Sequence, residues 1–573
     1  MVLLSPMYLH ALFLHFYHRS VVAPSHFVAF QQSFSQEQLG MRLERYAGIY
    51  AAGINPAFSA DNPNNWEISL FTAEGFFENN YAFVRNTSFP QLLKNSDQIV
   101  LAEDTPETPR ESNSLLLDFF DAKRKMHGVI QTRVSGPGFS ARIGENHVIG
   151  LTTAFRTQVS AYKIPPILAY NTISDLNRNE VYAIPSAGFS GMSWGEIGLH
   201  YSYRNDDADL ITTWGVSPKL LLGFEGMYTR ARASFDYSQQ IGDTSVFGSG
   251  NWDYALTLGN AANSDNVKLR RQGMGVGFDA GISWEGTSET GSGFDWRFGV
   301  SILDAGFIRF NKNAQQHHIE FDSIVTVSNA DFPSRDDVSL ILQDASQAFL
   351  GDPSASLQKE SFSIGLPTAL SLQYDVKLAP KVIVTGVLVQ RIPFSKTQLK
   401  RPNTLAVVPR FVSEWFSASL PVVLDDWQSL RMGAAVRLGW LYIGSDNLGS
   451  FFKQRQFTGT DFYVGLKVNG FYLNFGDKNK LGKESRTRRG RQQMRKIKVI
   501  SFDRYIIDRV TEVTRSIIAI DAVFGVFFDT KRKREVRIIS ATTWQRQPVI
   551  SILACLILLG TLYLPTILNA IVP

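Results

Sequence analysis

The strict alternation of residue types in "GMGVGFDAGISWEG", residues 273–286, is the feature that most constrains how this chain can fold. The side chains of a β-strand point alternately to its two faces. One face of this segment is wholly apolar and consists of Met274, Val276, Phe278, Ala280, Ile282 and Trp284. The other face carries the carboxylates of Asp279 and Glu285 among small residues. The two faces of the predicted strand therefore meet different environments, one apolar and one polar.

Five further segments repeat this alternation with charged or amide side chains on the second face: residues 197–202, 294–302, 370–375, 432–440 and 462–469. A soluble sandwich would bury the apolar face against a second sheet, whereas a membrane barrel would turn it toward lipid and leave the polar face lining a lumen. Strands of about ten residues with aromatic ends are typical of outer-membrane barrels. Together with the glycines on the polar face, they favour the barrel.

Composition supports the barrel. It also excludes a helical membrane bundle and cysteine-based cross-links or zinc sites. The aromatic fraction of 12% is high for a soluble protein and ordinary for a barrel with aromatic girdles at the membrane interfaces. A mean hydropathy of −0.07 excludes a bundle of transmembrane helices over most of the length. The single cysteine, Cys555, excludes an intramolecular disulfide and a zinc site made of thiolates.

The expected fold class is all-β, a transmembrane antiparallel β-barrel of about 14 strands with an N-terminal inserted segment, a helical loop insertion and a separate C-terminal hydrophobic helix. The strand number rests on the count of strand-like runs and on the even number expected of bacterial barrels. Apolar residues recur at helical spacing in 334–351, which predicts the helical insertion before Gly351. A second helix is predicted over residues 112–125, with Ser112 as its N-cap.

The chain divides into five predicted regions: residues 1–35 as a signal or leader, 36–65 as an N-terminal segment near or inside the barrel, 66–476 as the outer-membrane barrel, 477–498 as a basic tail and 499–573 as an extension. The leader is a poor signal peptide, because His10 and His15 interrupt its apolar stretch and no Lys or Arg precedes it. Ser33 and Ser35 before Gln36 nevertheless suit cleavage. The alternative is a mis-assigned start.

The C-terminal part has a different character. Residues 478–498 hold ten Lys or Arg and one Glu, a net charge of +9 in a chain whose total is +5. Such a run is typical of a solvated tail, and the absence of aromatic residues in it argues against nucleic-acid binding. Residues 549–572 are uncharged and long enough to span a bilayer as a helix. They predict either a tail anchor or an extension not native to the barrel.

Four segments resemble a known family: "RLERYAGIYAAGINPAFSADNPNNWEI" (42–68), "FFENNYAFVRNTS" (76–88), "VSGPGFSARI" (134–143) and "FGVSILDAGFIRF" (298–310). They are similar to an uncharacterised, Bacteroidota-type outer-membrane barrel family of the DUF class, similar in outline to the FadL and PorV barrels. The resemblance implies a barrel of unknown function with no assigned catalytic residues. It also marks the N-terminal motif Asn55, Pro56 and Ala57, and weakly favours an apolar or amphipathic ligand over ions.

The polar faces of the predicted strands supply the candidate lumen lining: Asp279, Glu285, Asp295, Arg297, Gln373, Asp375, Arg437, Lys467 and Asn469. Opposite charges on neighbouring strands can pair across a narrow interior, which would give a rigid and closed barrel. The alternative is a lumen that conducts ions or passes a ligand.

No catalytic residue, metal site or cofactor is predicted. The glycines of "GVGFDAG" belong to the polar face of a strand, and the histidines outside the leader lack the spacing of a metal site. Three hypotheses on function follow for an outer-membrane location: transport of a hydrophobic or amphipathic compound, a scaffold barrel for a secretion or surface-protein complex, and an outer-membrane hydrolase. The expected partners are outer-membrane lipid, a small hydrophobic ligand and other envelope proteins, with no nucleic acid.

Overall fold

The structure is a computed structural model. It describes residues 37–96, 99–101, 115–120, 126–165, 180–206, 210–240, 244–258, 270–287, 294–333 and 337–469. The predicted leader, the basic tail 477–498, the extension 499–573 and its helix 549–572 lie outside the described residues. None of the helices in the described part of the chain is both long and apolar enough to cross a bilayer.

Strands dominate the described residues, as the alternating pattern predicts. In chain order they are β1 (Trp66–Asn79), β2 (Ala82–Thr87), β3 (Ile99–Leu101), β4 (Leu115–Phe119), β5 (Met126–Ser135), β6 (Gly138–Ile143), β7 (His147–Ile164), β8 (Tyr182–Ile184), β9 (Gly188–Asp206), β10 (Leu210–Ala231), β11 (Phe235–Gln240), β12 (Thr244–Phe247), β13 (Gly250–Thr257), β14 (Gly273–Thr287), β15 (Phe294–Phe310), β16 (Ala314–Phe321), β17 (Val325–Ser328), β18 (Leu357–Lys359), β19 (Phe362–Gly365), β20 (Ala369–Ala379), β21 (Val382–Arg391), β22 (Thr404–Val412), β23 (Phe416–Ser419), β24 (Val422–Asp425), β25 (Ser429–Met432), β26 (Ala434–Leu438), β27 (Leu441–Ser445), β28 (Gln454–Phe457) and β29 (Gly459–Asn469).

Helices in the same residues are few and short. The α-helices are α1 (Leu39–Arg42), α2 (Phe89–Lys94) and α3 (Val338–Leu350). The 3-10 helices span Gly48–Gly53, Pro56–Asp61, Asn329–Asp331 and Leu448–Phe451.

The long strands close into an antiparallel barrel of 14 wall strands, which confirms the predicted number. The wall follows the order β1, β5 with β6, β7, β9, β10, β14, β15, β20, β21, β22, β23 with β24, β25 with β26, β27 and β29. Three wall strands are each interrupted once, so two short strands stand in for one. The ring closes where β29 pairs with β1, from Glu67 opposite Asn469 to Glu78 opposite Gly459.

The apolar face of β14 points out of the barrel. Met274 and Val276 are 45% and 62% exposed, whereas Asp279 and Glu285 on the other face are 4% exposed each. A soluble sandwich would show the opposite exposure, because its apolar face would be buried. The outward face is therefore the lipid face and the inward face lines a lumen.

The two ends of the barrel differ in the length of their connections. At one end, wall strands are joined by two to six residues, as between β6 and β7. At the other end lie most of the long connections, the longest being residues 311–368 between β15 and β20. We call these the turn end and the loop end. In outer-membrane barrels the short turns face the periplasm and the long loops the outside.

The predicted helical insertion is confirmed by α3, which is capped by Asp337 and ends at Gly351 in a left-handed conformation. Leu342, Ala345 and Phe349 of this helix are buried in a cluster of apolar side chains at the loop end. The cluster includes Trp252, whose ring meets that of Phe349 edge-on at 5.3 Å. The strands β8, β11, β12 and β17 form a small sheet beside it.

The helix predicted over residues 112–125 is wrong where the structure describes that segment. Leu115–Phe119 is β4, which pairs with β2 on one edge and in parallel with β3 on the other. Its leucines are compatible with a helix or with a strand. The segment forms a strand because it can hydrogen-bond to the edges of β2 and β3.

Candidate functional site

The lumen contains residues 37–65, which we call the internal segment. Near the loop end, Glu37 accepts a 2.8 Å hydrogen bond from Arg401 in the connection between β21 and β22. At the turn end, the Asn65 carbonyl accepts a 2.7 Å hydrogen bond from the backbone N–H of Arg142. The segment therefore extends along the lumen before the chain enters the wall at β1.

The motif Asn55, Pro56 and Ala57 fixes a turn in the internal segment and attaches it to the wall. The Asn55 side chain caps the helix Pro56–Asp61 by accepting a 3.0 Å hydrogen bond from the N–H of Ala57. Its amide nitrogen donates to Oε1 of Gln373 in β20 at 2.9 Å. Because Asn55 is fully buried, both its oxygen and its nitrogen need these partners.

Glycines on the polar faces of the wall strands make room for this motif. A Cβ atom added at Gly281 would lie 2.0 Å from Oδ1 of Asn55, and one at Gly215 would lie 2.6 Å from the carbonyl of Pro56. A Cβ atom added at Gly299 would lie 2.9 Å from the amide nitrogen of Asn55. The glycines of the sequence pattern thus form a cradle for the internal segment, which no pattern within one strand could show.

A second attachment lies toward the turn end. Asp61 of the internal segment pairs with Arg204 at 2.8 Å and with Arg297. Arg297 also pairs with Asp375, and its guanidinium lies 3.8 Å from the ring centre of Phe58. Such ion pairs keep long side chains in place when their charges are buried.

Across the lumen, four cations and four carboxylates form a balanced set of ion pairs, which we call the lumen belt: Arg42, Arg133, Arg156, Lys219, Glu74, Glu196, Asp279 and Asp304. Arg42 belongs to the internal segment and lies 3.2 Å from Glu74. The other seven come from consecutive wall strands, β1 to β15. Burial lowers the pKa of the Arg42 guanidinium, and the Glu74 carboxylate opposes this effect.

Two further cations of the wall contact the internal segment. Lys467 of β29 pairs with Glu67 of the neighbouring strand β1 at 2.8 Å and donates to the carbonyl of Ala47 in the internal segment at 2.9 Å. Arg437 of β26 lies 3.3 Å from Glu44 of the internal segment. Both wall cations are buried, so these contacts also satisfy their charges.

Seven of the nine predicted lumen residues are buried on the inner face: Asp279, Glu285, Arg297, Gln373, Asp375, Arg437 and Lys467. Asn469 is half-buried at the end of β29, and Asp295 is exposed at the start of β15. Of the eight residues of the lumen belt, sequence reasoning predicted Asp279 and missed the other seven. Arg156 and Lys219 lie in strands whose alternation is interrupted by Thr and Pro. The pattern within either strand therefore does not show whether these two side chains point into the lumen.

The lumen changes character toward the loop end. There, buried apolar side chains from several strands pack together, and we call them the apolar lumen cluster: Met192, Trp194, Leu221, Tyr228, Ala255, Ile308, Phe310, Ala314, Phe362, Ile364, Leu366 and Leu399. Leu221, Ile308 and Leu366 have no more than 1% of their surface exposed. The barrel thus encloses a polar section and an apolar section in series.

Ser59 and His200 bring a hydroxyl and an imidazole together in the lumen. The Nε2 atom of His200 lies 2.5 Å from the Ser59 hydroxyl, and its Nδ1 atom lies 2.8 Å from the Ser217 hydroxyl. A hydrolytic triad would place a carboxylate at that second nitrogen. Since Ser59 also contacts Ser202 at 2.9 Å, the group fastens the internal segment to β9 and β10.

A cavity of about 410 Å³ lies at the turn end beside the internal segment. Its walls combine the apolar side chains of Leu43, Ile211 and Phe294 with charged groups, among them Arg142 and Glu285. Ligand pockets in proteins have volumes of this order.

These features define a class: an antiparallel 14-strand barrel of the outer-membrane type, with its own N-terminal segment seated in the lumen. Residues 56–446 match a family described as a family of unknown function, DUF5723, and the chain belongs to this family. The membership of an uncharacterised family of the DUF class, expected from the sequence, is thereby confirmed. No curated protein matches the chain.

Three solved structures are similar to this chain at low identity. The toluene transporter TbuX of Ralstonia pickettii is 10% identical, with a TM-score of 0.34, over 77% of this chain and 100% of that one. A deletion mutant of the monoaromatic hydrocarbon channel TodX is 10% identical, with a TM-score of 0.35, over 74% and 95%. The monoaromatic hydrocarbon channel CymD is 8% identical, with a TM-score of 0.26, over 76% and 94%.

Proposed function

We propose that this protein resides in the outer membrane and passes a hydrophobic or amphipathic compound through its lumen when the internal segment shifts. The observation that carries the proposal is the apolar lumen cluster. The interior of a transmembrane barrel is ordinarily polar, because water fills it. Apolar side chains on the inner face, away from lipid, offer a compatible surface to an apolar compound.

The internal segment acts as the gate in this proposal. The described contacts between the segment and the wall are hydrogen bonds, ion pairs and packing, so it can move without a covalent change. The ion pairs of Arg42 with Glu74 and of Asp61 with Arg297 would have to exchange partners or become hydrated as it moves. The conformation described here is the closed one.

A reversible cross-link tests the gate. Ser59→Cys with Ser202→Cys places two thiols where the hydroxyls are 2.9 Å apart, in a chain with Cys555→Ser. The matched control is Thr157→Cys with Ser193→Cys, whose hydroxyls are 3.0 Å apart and which joins β7 to β9 without touching the segment. The measurement is the rate at which expressing cells take up a hydrophobic fluorescent probe, with and without a reductant.

The proposal expects uptake above that of cells lacking the protein, arrested by the Ser59–Ser202 cross-link and restored on reduction. The control cross-link should leave the rate unchanged. Uptake that does not depend on the protein at all would contradict the proposal.

A scaffold for envelope proteins is the second candidate, and the lumen belt favours it. Four cations balanced by four carboxylates give a closed and rigid interior without a ligand. A scaffold would pass no probe in either redox state, and it would co-purify with a defined envelope protein after cross-linking in cells.

A further inference from the structure

Two lysines at the loop end of the lumen lie next to Tyr162, one in space and one in sequence. Tyr162 is buried on the inner face of β7. Lys400, in the connection between β21 and β22, has its Nζ atom 5.2 Å from the centre of this ring, and its N–H donates a 3.0 Å hydrogen bond to the Ser160 hydroxyl. Lys163 follows Tyr162 directly and is exposed. The mouth of the barrel therefore carries a pair of ammonium groups.

Lys163 occupies a β-bulge. Tyr162 pairs with His127 of β5 and Ile164 pairs with Met126, so Lys163 is the extra residue between them. Its φ of 59° lies in the left-handed region, which few residues other than glycine adopt. A bulge re-aims a side chain, and backbone conformations of this kind are concentrated at functional positions. The backbone at the mouth thus adopts an uncommon conformation at one of the two lysines.

The other cations beside these lysines have carboxylate partners. Arg391 lies 4.7 Å from the centre of the Tyr162 ring and pairs with Asp426 at 3.4 Å. Arg401 pairs with Glu37 at 2.8 Å. Among the described residues, no carboxylate oxygen lies within 4 Å of either lysine ammonium group. Two positive charges at the mouth are therefore left without a described counter-ion.

The surroundings of Lys400 make the missing counter-ion costly. Its side chain is half-buried. Burial and the positive charges of Arg391 and Lys163 lower the pKa of its ammonium group, and no described carboxylate opposes them. A cation that is partly removed from water needs a partner of opposite charge. An anion bound at the mouth would supply one.

Apolar surface begins next to the lysines. Leu399 precedes Lys400 in the chain, is 1% exposed and belongs to the apolar lumen cluster. In outer-membrane barrels the long loops face the outside, so this junction of charged and apolar surface lies where a compound would enter. An anion with an apolar body could contact both surfaces at once.

Two uncompensated positive charges favour a group with two negative charges. A carboxylate or a sulfate ester carries one negative charge. A phosphate monoester carries about −1.5 to −2 at pH 7 and has three strong acceptor oxygens. Lysine binds phosphate as a point charge, without the fixed geometry that an arginine fork requires. A phosphate monoester therefore fits the pair of lysines better than a singly charged head group.

We propose that Lys163 and Lys400 bind the phosphate group of an amphipathic phosphate monoester, whose apolar body contacts the apolar lumen cluster at Leu399. This inference rests on the proposed function and names the chemical class of the compound that enters the lumen. The phosphate can belong to a free compound or to a membrane lipid that carries the same group.

Titration calorimetry of the full protein in an uncharged detergent, with hexyl phosphate as the probe, tests the charge of the bound group. Hexyl sulfate is the matched probe, because it has the same chain and three terminal oxygens but one negative charge. We expect hexyl phosphate to bind about tenfold more tightly. Equal affinity for the two probes would overturn the proposal. Inorganic phosphate should bind more weakly than hexyl phosphate, and equal binding would contradict the contact with the apolar lumen cluster.

Lysine variants test the location of the site. Lys400→Gln and Lys163→Gln should each weaken the binding of hexyl phosphate about tenfold, whereas Lys400→Arg keeps the charge and should bind it. Lys396→Gln is the matched control, because Lys396 is exposed in the same connection between β21 and β22. Unchanged affinity in both glutamine variants at positions 163 and 400 would overturn the proposal.

Phosphorus analysis of the purified protein separates the two sources of the phosphate. Stoichiometric phosphate that co-purifies with the wild-type protein and is lost in Lys400→Gln would identify a membrane lipid. A purified protein without phosphate that binds hexyl phosphate would identify a free compound. Neither measurement requires transport, so a barrel that binds hexyl phosphate but takes up no hydrophobic probe keeps this site while the proposed function fails.

Discussion

The side-chain amide of Asn55 donates a 2.9 Å hydrogen bond to Oε1 of Gln373 across the lumen. The two residues are 318 positions apart, one in the internal segment and one in β20. Gln373 returns a hydrogen bond of 3.3 Å from its amide nitrogen to the carbonyl of Ile54. This reciprocal pair links the position of the internal segment to the register of the wall.

Replacement of Asn55 by Ala should destabilise the closed state. It removes the cap of the helix Pro56–Asp61 and leaves the buried Gln373 oxygen without its donor, at a combined cost of about 2 kcal/mol. The measurement is urea unfolding in detergent, followed by tryptophan fluorescence. Asn251→Ala is the control, because Asn251 bonds Glu320 at the exposed loop end, and it should change the unfolding free energy by less than about 0.5 kcal/mol. Equal effects of the two variants would contradict the assigned role of Asn55.

A methyl group at Gly281 should displace the internal segment. The added Cβ atom would lie 2.0 Å from Oδ1 of Asn55, and relief of this overlap costs about 1–3 kcal/mol. Gly386→Ala is the control, because its nearest neighbour would be the Tyr374 carbonyl at 4.0 Å. We expect the Gly281 variant alone to raise the single-channel conductance and the rate of protease cleavage within residues 37–65. A Gly281 variant that conducts no more than the Gly386 variant would show that the wall accommodates the added methyl group without displacing the internal segment.

Much of the wall can be predicted from the sequence because a strand exposed to lipid on one side and to a lumen on the other must alternate. The alternation in 273–286 identified the inner face of β14, including Asp279 and Glu285. The number of wall strands can also be predicted, because turn residues in the sequence separate alternating runs of similar length. The split of β23 from β24 at Leu420 and Pro421 could not be foreseen, because it depends on neighbouring strands.

The partners inside the lumen could not be predicted in the same way. Arg156 and Asp304 are 148 positions apart, and their 2.9 Å contact depends on the closure of the whole ring. The glycines on the inner face were assigned as lumen residues, but their role as a cradle needs the internal segment in place. The leucines of β4 are compatible with a helix and with a strand, and the sequence predicted a helix. The segment is a strand because it pairs with β2 and β3, and these contacts cannot be read from the segment alone.

Neutralising Arg297 should be far more costly than neutralising an exposed arginine. Arg297→Gln removes the cation that Asp61 and Asp375 share and leaves them only Arg204 and Arg410 as partners, at a cost of about 1.5–3 kcal/mol. Arg85→Gln is the control, since its pair with Asp118 is half-exposed and contributes about 0–1 kcal/mol. Urea unfolding measures both. The double variant Arg297→Gln with Asp61→Asn should recover part of the loss, because Arg204 keeps Glu285 and Asp206 as partners. A double variant less stable than the single one would rule out the Arg297–Asp61 ion pair as the cause.

The direction of the apolar face decides whether this barrel sits in a membrane, and one pair of lysine variants tests it. Val276 is 62% exposed on the outward face of β14, while Ile324 is 74% exposed near β17 at the loop end. If the outward face of β14 were in water, lysine would be tolerated at both positions, because both side chains are exposed. In lipid, a lysine at a wall position costs up to about 2–4 kcal/mol near the bilayer centre, and one at the loop end costs little. Val276→Lys should therefore lower the folding yield into vesicles and the unfolding free energy there, with Ile324→Lys unchanged. If both variants fold equally well into vesicles, the outward face of β14 is not in contact with lipid.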